Sequence, residues 1–145
     1  MKNKYFGIGI YYPKTEANVG SLFRSAYNFG ASFLFTIGRR YTRTIMDTVD
    51  SVSQIPMYHY IDFDDFNTHR PQDCRLVCIE RTVSSLPITT FCHFPTSIYL
   101  LGSEDNGIPP DITAKNTTIH LDTKQCINVS HAGTCVMFHR QLVLR

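Results

Sequence analysis

Residues 6–37 read FGIGIYYPKTEANVGSLFRSAYNFGASFLFTI, and the alternation inside this stretch decides the fold class. Phe6 to Tyr12 is an apolar run of strand length. Asn18 to Phe29 carries apolar residues at helical spacing and is closed by Gly30, and Ser32 to Ile37 is a second apolar run. Strand, helix and strand in this order make a βαβ unit. Outward from it the pattern recurs: Met57 to Tyr60, Leu76 to Ile79, Ser97 to Leu101 and Thr118 to Leu121 read as buried strands. Asp62 to His69 reads as an intervening helix and about Ile127 to Leu144 as a terminal one. The expected fold is α/β, a mainly parallel sheet flanked by helices, in one domain over residues 1–145, because this length leaves little room for a second.

Composition agrees with a packed domain. Apolar residues make up 43% of the chain and aromatics 12%, enough for a core and too much for a disordered polymer. The apolar runs span only a few residues, and Met1-Lys2-Asn3-Lys4 leads into a strand, so membrane spanning and secretion are disfavoured. Five cysteines, Cys74, Cys78, Cys92, Cys126 and Cys135, form an odd set with no C-x-x-C pair, which suits a reducing cytoplasm. None of the six histidines stands in H-E-x-x-H or H-x-x-x-H spacing, so no metal is expected. A P-loop, a G-x-S-x-G elbow and the third glycine of a dinucleotide fingerprint after Gly7-Ile8-Gly9 are all missing.

Net charge is only +2, yet it is unevenly spread. Residues 1–46 hold seven Lys/Arg against Glu16 alone, whereas the remainder holds seven against eleven acidic residues. Such asymmetry can build a basic face that attracts phosphate, or simply a solvated surface.

In parallel α/β sheets ligands sit beyond the carboxyl ends of the strands, so the loops there are the place to seek chemistry. The first runs from Asn18 to Arg24. Asn18 reads as an N-cap, and Val19, Leu22, Phe23, Ala26 and Tyr27 form one apolar stripe. Arg24 points off that stripe, about one and a half turns into the helix, where it is either a solvated charge or a partner of the helix terminus in gripping an anion. The second loop, Leu100 to Pro110, contains Gly102 and Gly107, which permit close backbone approach, and the adjacent carboxylates Glu104 and Asp105, of which at most one is expected to be functional. The third places Asn128 and Ser130 at the start of the last helix, as caps or as site residues. That helix is apolar around much of its circumference, implying burial in the core or against a second subunit.

Taken in order, these loops resemble the motifs of the SpoU or TrmH-type RNA 2′-O-ribose methyltransferases of the SPOUT superfamily. N-x-G-x-x-x-R occurs as Asn18, Gly20 and Arg24, L-G-x-E-x-x-G as Leu101, Gly102, Glu104 and Gly107, and the last motif as Ile127-Asn128-Val129-Ser130. The resemblance covers nearly the whole chain and is to the bare catalytic domain, with no appended RNA-binding domain. It implies a C-terminal trefoil knot, a homodimer, and S-adenosylmethionine as cofactor, with contacts falling on Ile79, Glu80, Gly102, Ile119, Leu121, Cys126 and Ile127. It implies a catalytic role for Arg24, with Asn18, Glu104, Asn128 and Ser130 shaping the site. A guanidinium holds its proton, so orienting a phosphate and favouring the alkoxide is an easier role for Arg24 than general base. Two positions depart from the pattern: His120 stands where a proline is common, and Cys126 where a serine-like residue is expected.

The implied substrate is RNA, with tRNA favoured over rRNA, and the implied location is cytoplasmic. Arg39, Arg40 and Arg43 follow the second strand with Tyr41 among them, and read either as contacts to RNA phosphates and a base face or as a solvated loop. A knotted RNA-binding or assembly factor without catalysis is the alternative, and a nucleotide-binding α/β protein of unrelated chemistry a third. Gly133, inside the last helix, suggests close helix packing across a dimer.

Overall fold

A sheet whose strands pair only in parallel must cross from one end to the other between strands, and helices make those crossings. The computed structural model describes residues 4–41 and 54–144, so Arg43 lies outside the described residues. In chain order the elements are β1 (Tyr5–Tyr11), α1 (Glu16–Asn28), β2 (Phe33–Ile37), β3 (Met57–Tyr60), α2 (Phe63–His69), β4 (Arg75–Ile79) and β5 (Leu86–Pro87). After a 3-10 turn (Ile88–Thr90) come β6 (Thr96–Gly102), α3 (Pro110–Thr113), β7 (Thr117–His120) and α4 (Val129–Val143). The strand order is β3-β2-β1-β6-β4-β7-β5, and each of these pairings is parallel.

Side chains alternate between two apolar layers, as strand geometry requires. Ile8, Ile10, Leu34, Tyr99 and Leu101 face Leu22, Phe23, Val136 and Met137 of α1 and α4. Phe33, Phe35, Ile98 and Leu100 face Phe66 of α2 and Ile112 of α3. The glycines of Gly7-Ile8-Gly9 serve this second layer: a Cβ at either would overlap the ring of Phe33 or Phe35 on the neighbouring strand. Phe35 in turn stacks on Phe66 with ring centroids 4.9 Å apart.

Four sequence expectations are corrected here. Helix α1 begins at Glu16 with Thr15 as its N-cap, so Asn18 lies inside the first turn rather than at the cap. Arg24 therefore sits more than two turns from the N-terminus, beyond the reach of the terminal N–H groups. Tyr27 leaves the apolar stripe and is exposed, because the buried face is made by Val19, Gly20, Leu22, Phe23 and Ala26. Gly133 does permit close helix packing, but within the chain, since a Cβ there would overlap Leu22 of α1. The two elements absent from the sequence reading, β5 and α3, span two and four residues, too short to show a period.

From β1 the chain winds outward through β2 to β3 on one side and then crosses to the other, where β6 is inserted beside β1 and β4, β7 and β5 lie beyond it. The carboxyl ends of β1 and β6 thus flank the point where the winding reverses, the usual crevice for a ligand in such sheets. The opposite end is sealed by Arg140, which is 6% exposed. It donates to the carbonyls of Phe94 at 2.8 Å and Pro95 at 2.6 Å, and to the Tyr99 hydroxyl at 3.2 Å. A guanidinium can only donate, so the phenolic proton of Tyr99 is directed to Nδ1 of His93, 2.6 Å away. His93 then donates from Nε2 to Nδ1 of His139 at 2.8 Å.

Burial, followed by the nearby His139 and Arg140 charges, pushes His93 down to about 4. Its folded value lies below the unfolded one of about 6.5, so between these pH values the unfolded chain binds more protons. The contribution of His93 to stability is complete above about pH 6.5 and is lost as pH falls toward 4. Urea unfolding should therefore show stability dropping by up to ~1.4 kcal/mol per pH unit across this window, and His93→Gln should flatten that dependence.

Candidate active site

The site grows from three loops at the carboxyl ends of β1, β6 and β7. Asn18, in the first turn of α1, donates from Nδ2 to Oε1 of Glu104 in the loop after β6. Its Oδ1 accepts from Nδ2 of Asn128 at 2.8 Å, and Oδ1 of Asn128 accepts from the backbone N–H of Ser130 at 2.8 Å, capping α4. The Ser130 hydroxyl meets that of Ser21 at 2.9 Å. Thus Asn18, Glu104, Asn128 and Ser130 are joined in one directed chain of hydrogen bonds. Ser21 was missed in the sequence, although its i, i+3 spacing from Asn18 puts both on one side of α1.

Two glycines bring the β6 loop into position. Gly102 packs against the backbone of Gly107, whose carbonyl carbon would lie 2.5 Å from a Cβ at position 102. Gly107 has φ +62°, and a Cβ there would overlap the Glu80 carboxylate. That carboxylate accepts from the N–H of Ile108 at 3.0 Å and of Arg81 at 3.2 Å, so Glu80 braces the loop. Of the adjacent acids, Glu104 faces Asn18 while Asp105 forms an exposed ion pair with Lys14 at 2.9 Å.

Beside this constellation lies a cleft of about 880 Å³, lined by Ile79, Glu80, Gly102, Leu121, Cys126 and Ile127 among others. Ile119 is the exception among the expected cofactor contacts. Its side chain is 0% exposed within the core and its carbonyl accepts from the N–H of Glu80, so it supports the cleft from below. Arg81, also missed, donates to the carbonyls of Leu121 at 2.8 Å and Thr123 at 3.2 Å and ties the loops after β4 and β7 together. His120 adds a second tie, with Nδ1 2.8 Å from the Ser85 hydroxyl and Nε2 3.2 Å from Asp122.

The expected RNA contacts divide. Arg24 and Arg40 are exposed. Arg39 is exposed too, but its Nη1 donates to the carbonyls of Pro13 and Lys14, so part of its fork holds the β1–α1 loop. Tyr41 does not offer a base face: it is 7% exposed, with its ring edge-on to Phe23 at 5.4 Å.

With this geometry in view, comparison with known families is decisive. The model of the SpoU rRNA Methylase family matches residues 6–138. The chain belongs to that family. No curated protein matches it by sequence. Among solved structures it is similar to an AdoMet-bound rRNA methyltransferase from Sinorhizobium meliloti, at a TM-score of 0.85 and 19% identity, covering 99% of this chain and 58% of that one. It is also similar to the TrmH/SpoU tRNA modifying enzyme of A. aeolicus, at 0.82 and 16% identity, covering 97% of this chain and 75% of that one. A structure described as bearing on 2-OH methylation of C/U34 on tRNA matches at 0.82 and 16% identity, over 97% of both chains. The chain thus spans somewhat over half the length of the S. meliloti enzyme, and at these identities the likeness is one of fold.

In this SpoU-family chain the polarity of Asn18 is testable. Asn18→Asp replaces the donor facing Glu104 by a second carboxylate, whereas Asn18→Ala only removes the bonds. At pH 7 the Asp variant should be less stable than the Ala variant by about 1 kcal/mol, and the gap should close in acid, where the pair takes up a proton. Urea unfolding at both pH values measures it.

Proposed function

We propose that this SpoU-family chain transfers a methyl group from S-adenosylmethionine to a ribose 2′-hydroxyl of RNA. The observation that carries the reading is the convergence of Asn18, Glu104, Asn128 and Ser130 in one hydrogen-bonded chain at the reversal point of the sheet, beside the open cleft. The cleft suits the cofactor: about 880 Å³ is within the range of small-molecule sites, and Ile79, Leu121 and Ile127 supply apolar contact beside loop backbone. Ile79, Glu80, Gly102, Leu121, Cys126 and Ile127 would hold it, Ile119 acting from beneath. S-adenosylmethionine supplies the sulfonium methyl.

The chain's own residues have to position a hydroxyl and favour loss of its proton. Placement in line for attack accounts for much of the acceleration in reactions of this kind. Arg24, exposed on α1, is assigned to the phosphate next to the acceptor ribose, where a guanidinium offers paired donors and stabilises developing negative charge. Asn18, Glu104, Asn128 and Ser130 hold the three loops in register. Arg40, together with Arg39 and Arg43, is assigned to RNA phosphates. A tRNA substrate is supported by the structure bearing on C/U34 methylation, which matches this chain over 97% of both lengths.

The reading includes a homodimer, the C-terminal knot and a cytoplasmic location, with residues 1–145 acting as the catalytic domain. Phe138 and Leu142 on the outer side of α4 are 57% and 48% exposed, an apolar surface suited to a second copy. Among the described residues no helix is long and apolar enough to cross a membrane.

Incubation with methyl-labelled S-adenosylmethionine and total tRNA, followed by digestion to nucleosides, should place the label on ribose. Arg24→Ala should lower turnover by roughly 100-fold or more while leaving cofactor affinity, measured by calorimetry, unchanged. Label found only on bases would overturn the reaction, and absence of cofactor binding would favour a binding factor without catalysis. Light scattering should give about twice the chain mass of 16.6 kDa.

A further inference from the structure

Among the described residues Tyr12 is the one non-glycine residue with positive φ, 49°. A side chain in the left-handed region costs roughly 1 kcal/mol that glycine would avoid, so the surroundings must hold it there for a reason. They do so from three sides. The N–H of Tyr12 donates to the carbonyl of Ile37 at 2.7 Å, which fastens its backbone to the end of β2. Its ring lies over Gly38, where a Cβ would overlap it, and packs edge-on against Tyr11 with centroids 4.7 Å apart. Arg39 clamps the following residues through the Pro13 and Lys14 carbonyls.

Despite this bracing Tyr12 is 45% exposed, so the core does not account for it. It stands directly after β1, whose last residue Tyr11 pairs with Gly102. Two residues on, Lys14 borders the crevice that Asn18 and Glu104 share. Exposed Arg39 and Arg40 follow Gly38, and the carbonyls that Arg39 meets are neutral acceptors. A fixed aromatic ring next to cationic side chains is the combination that binds single-stranded nucleic acid: the ring stacks a base while the cations meet phosphates.

Resting on the RNA substrate proposed above, we propose that Tyr12 is the platform on which an unpaired base of that RNA stacks. It is a positioning residue, acting on the base while the ribose chemistry proceeds elsewhere. Every base has a face to stack, so the contact favours unpaired RNA over duplex without choosing a sequence.

The chain contains no tryptophan, so Tyr12→Trp introduces a single indole reporter. Titration of that variant with a ten-nucleotide single-stranded oligoribonucleotide should quench its emission saturably, and the same strand in a duplex should quench it far less. Tyr12→Gly, which relieves the φ strain, should weaken single-strand binding by roughly 5- to 100-fold, leave S-adenosylmethionine affinity unchanged and leave the salt slope of RNA binding unchanged. Tyr12→Phe should bind as the parent chain does. Unaltered RNA affinity in Tyr12→Gly, or an unquenched indole at saturating RNA, would overturn the inference while leaving the methyl-transfer reading intact. A concentration-dependent blue shift without RNA would put a second copy of the chain over the ring and overturn it as well. If the parent chain binds no RNA, the substrate reading falls and this inference falls with it.

Discussion

The side-chain amide of Asn18 has one donating end and one accepting end, and the rest of the site depends on how those ends are used. Glu104 can only accept, so the Asn18 NH₂ group must face it and its carbonyl must face Asn128. Asn128 then has only its own carbonyl left to cap α4 at Ser130. Each choice forces the next, and residues 86 and 110 positions away from Asn18 acquire one shared geometry. A neutral amide is suited to this work because it donates to the exposed Glu104 carboxylate without adding a second charge beside it. The chain also crosses from α1 to α4, the helices that Gly133 lets meet at Leu22, so polar and apolar contacts hold the same pair of elements.

The cleft next to this chain is stiffened in a different way. Glu80 accepts from the backbone of Arg81 and Ile108, and Arg81 donates to the backbone of Leu121 and Thr123. His120 adds a link between Ser85 and Asp122. The loops after β4, β6 and β7 are therefore tied mainly through main-chain groups. Their aliphatic residues Ile79, Leu121 and Ile127 are left to line the cleft instead of closing it. Polar ties to backbone keep a loop in place without filling the space it borders, which an apolar plug could not do.

What was legible in the sequence was whatever a local pattern encodes. Strands β1, β4, β6 and β7, buried on both faces, read as apolar runs and fall within a residue or two of their observed bounds. The three loops were placed by the strands before them, and their residues do converge. The misread residues are those whose role is set by distant contacts. Asn18 has the chemistry of a cap, but Thr15 starts the helix one turn earlier and frees the Asn18 amide to reach other loops. Tyr12 and Tyr41 are the same residue type on two neighbouring loops with opposite fates. Tyr41 is drawn under Phe23, while Tyr12 is held outward by Gly38 and a left-handed backbone. No periodicity separates them, because the difference lies in what each meets across the fold.

The two ends of the sheet are built on different rules, and α4 joins them. At the amino end Arg140 is buried among neutral acceptors, the carbonyls of Tyr5, Phe94 and Pro95 with the hydroxyls of Ser97 and Tyr99, and it lies against the ring of Phe6 at 5.1 Å. Several charge-assisted bonds and an aromatic face offset the desolvation of a single cation. They also fix where the last turns of α4 meet the sheet. Twelve residues earlier, about 18 Å along the helix axis at 1.5 Å per residue, Asn128 reaches Asn18. A helix held at its far end and notched by Gly133 against Leu22 has little freedom to slide. The buried arginine takes no part in the chemistry assigned to the carboxyl end, yet it sets the distance at which the last motif arrives there.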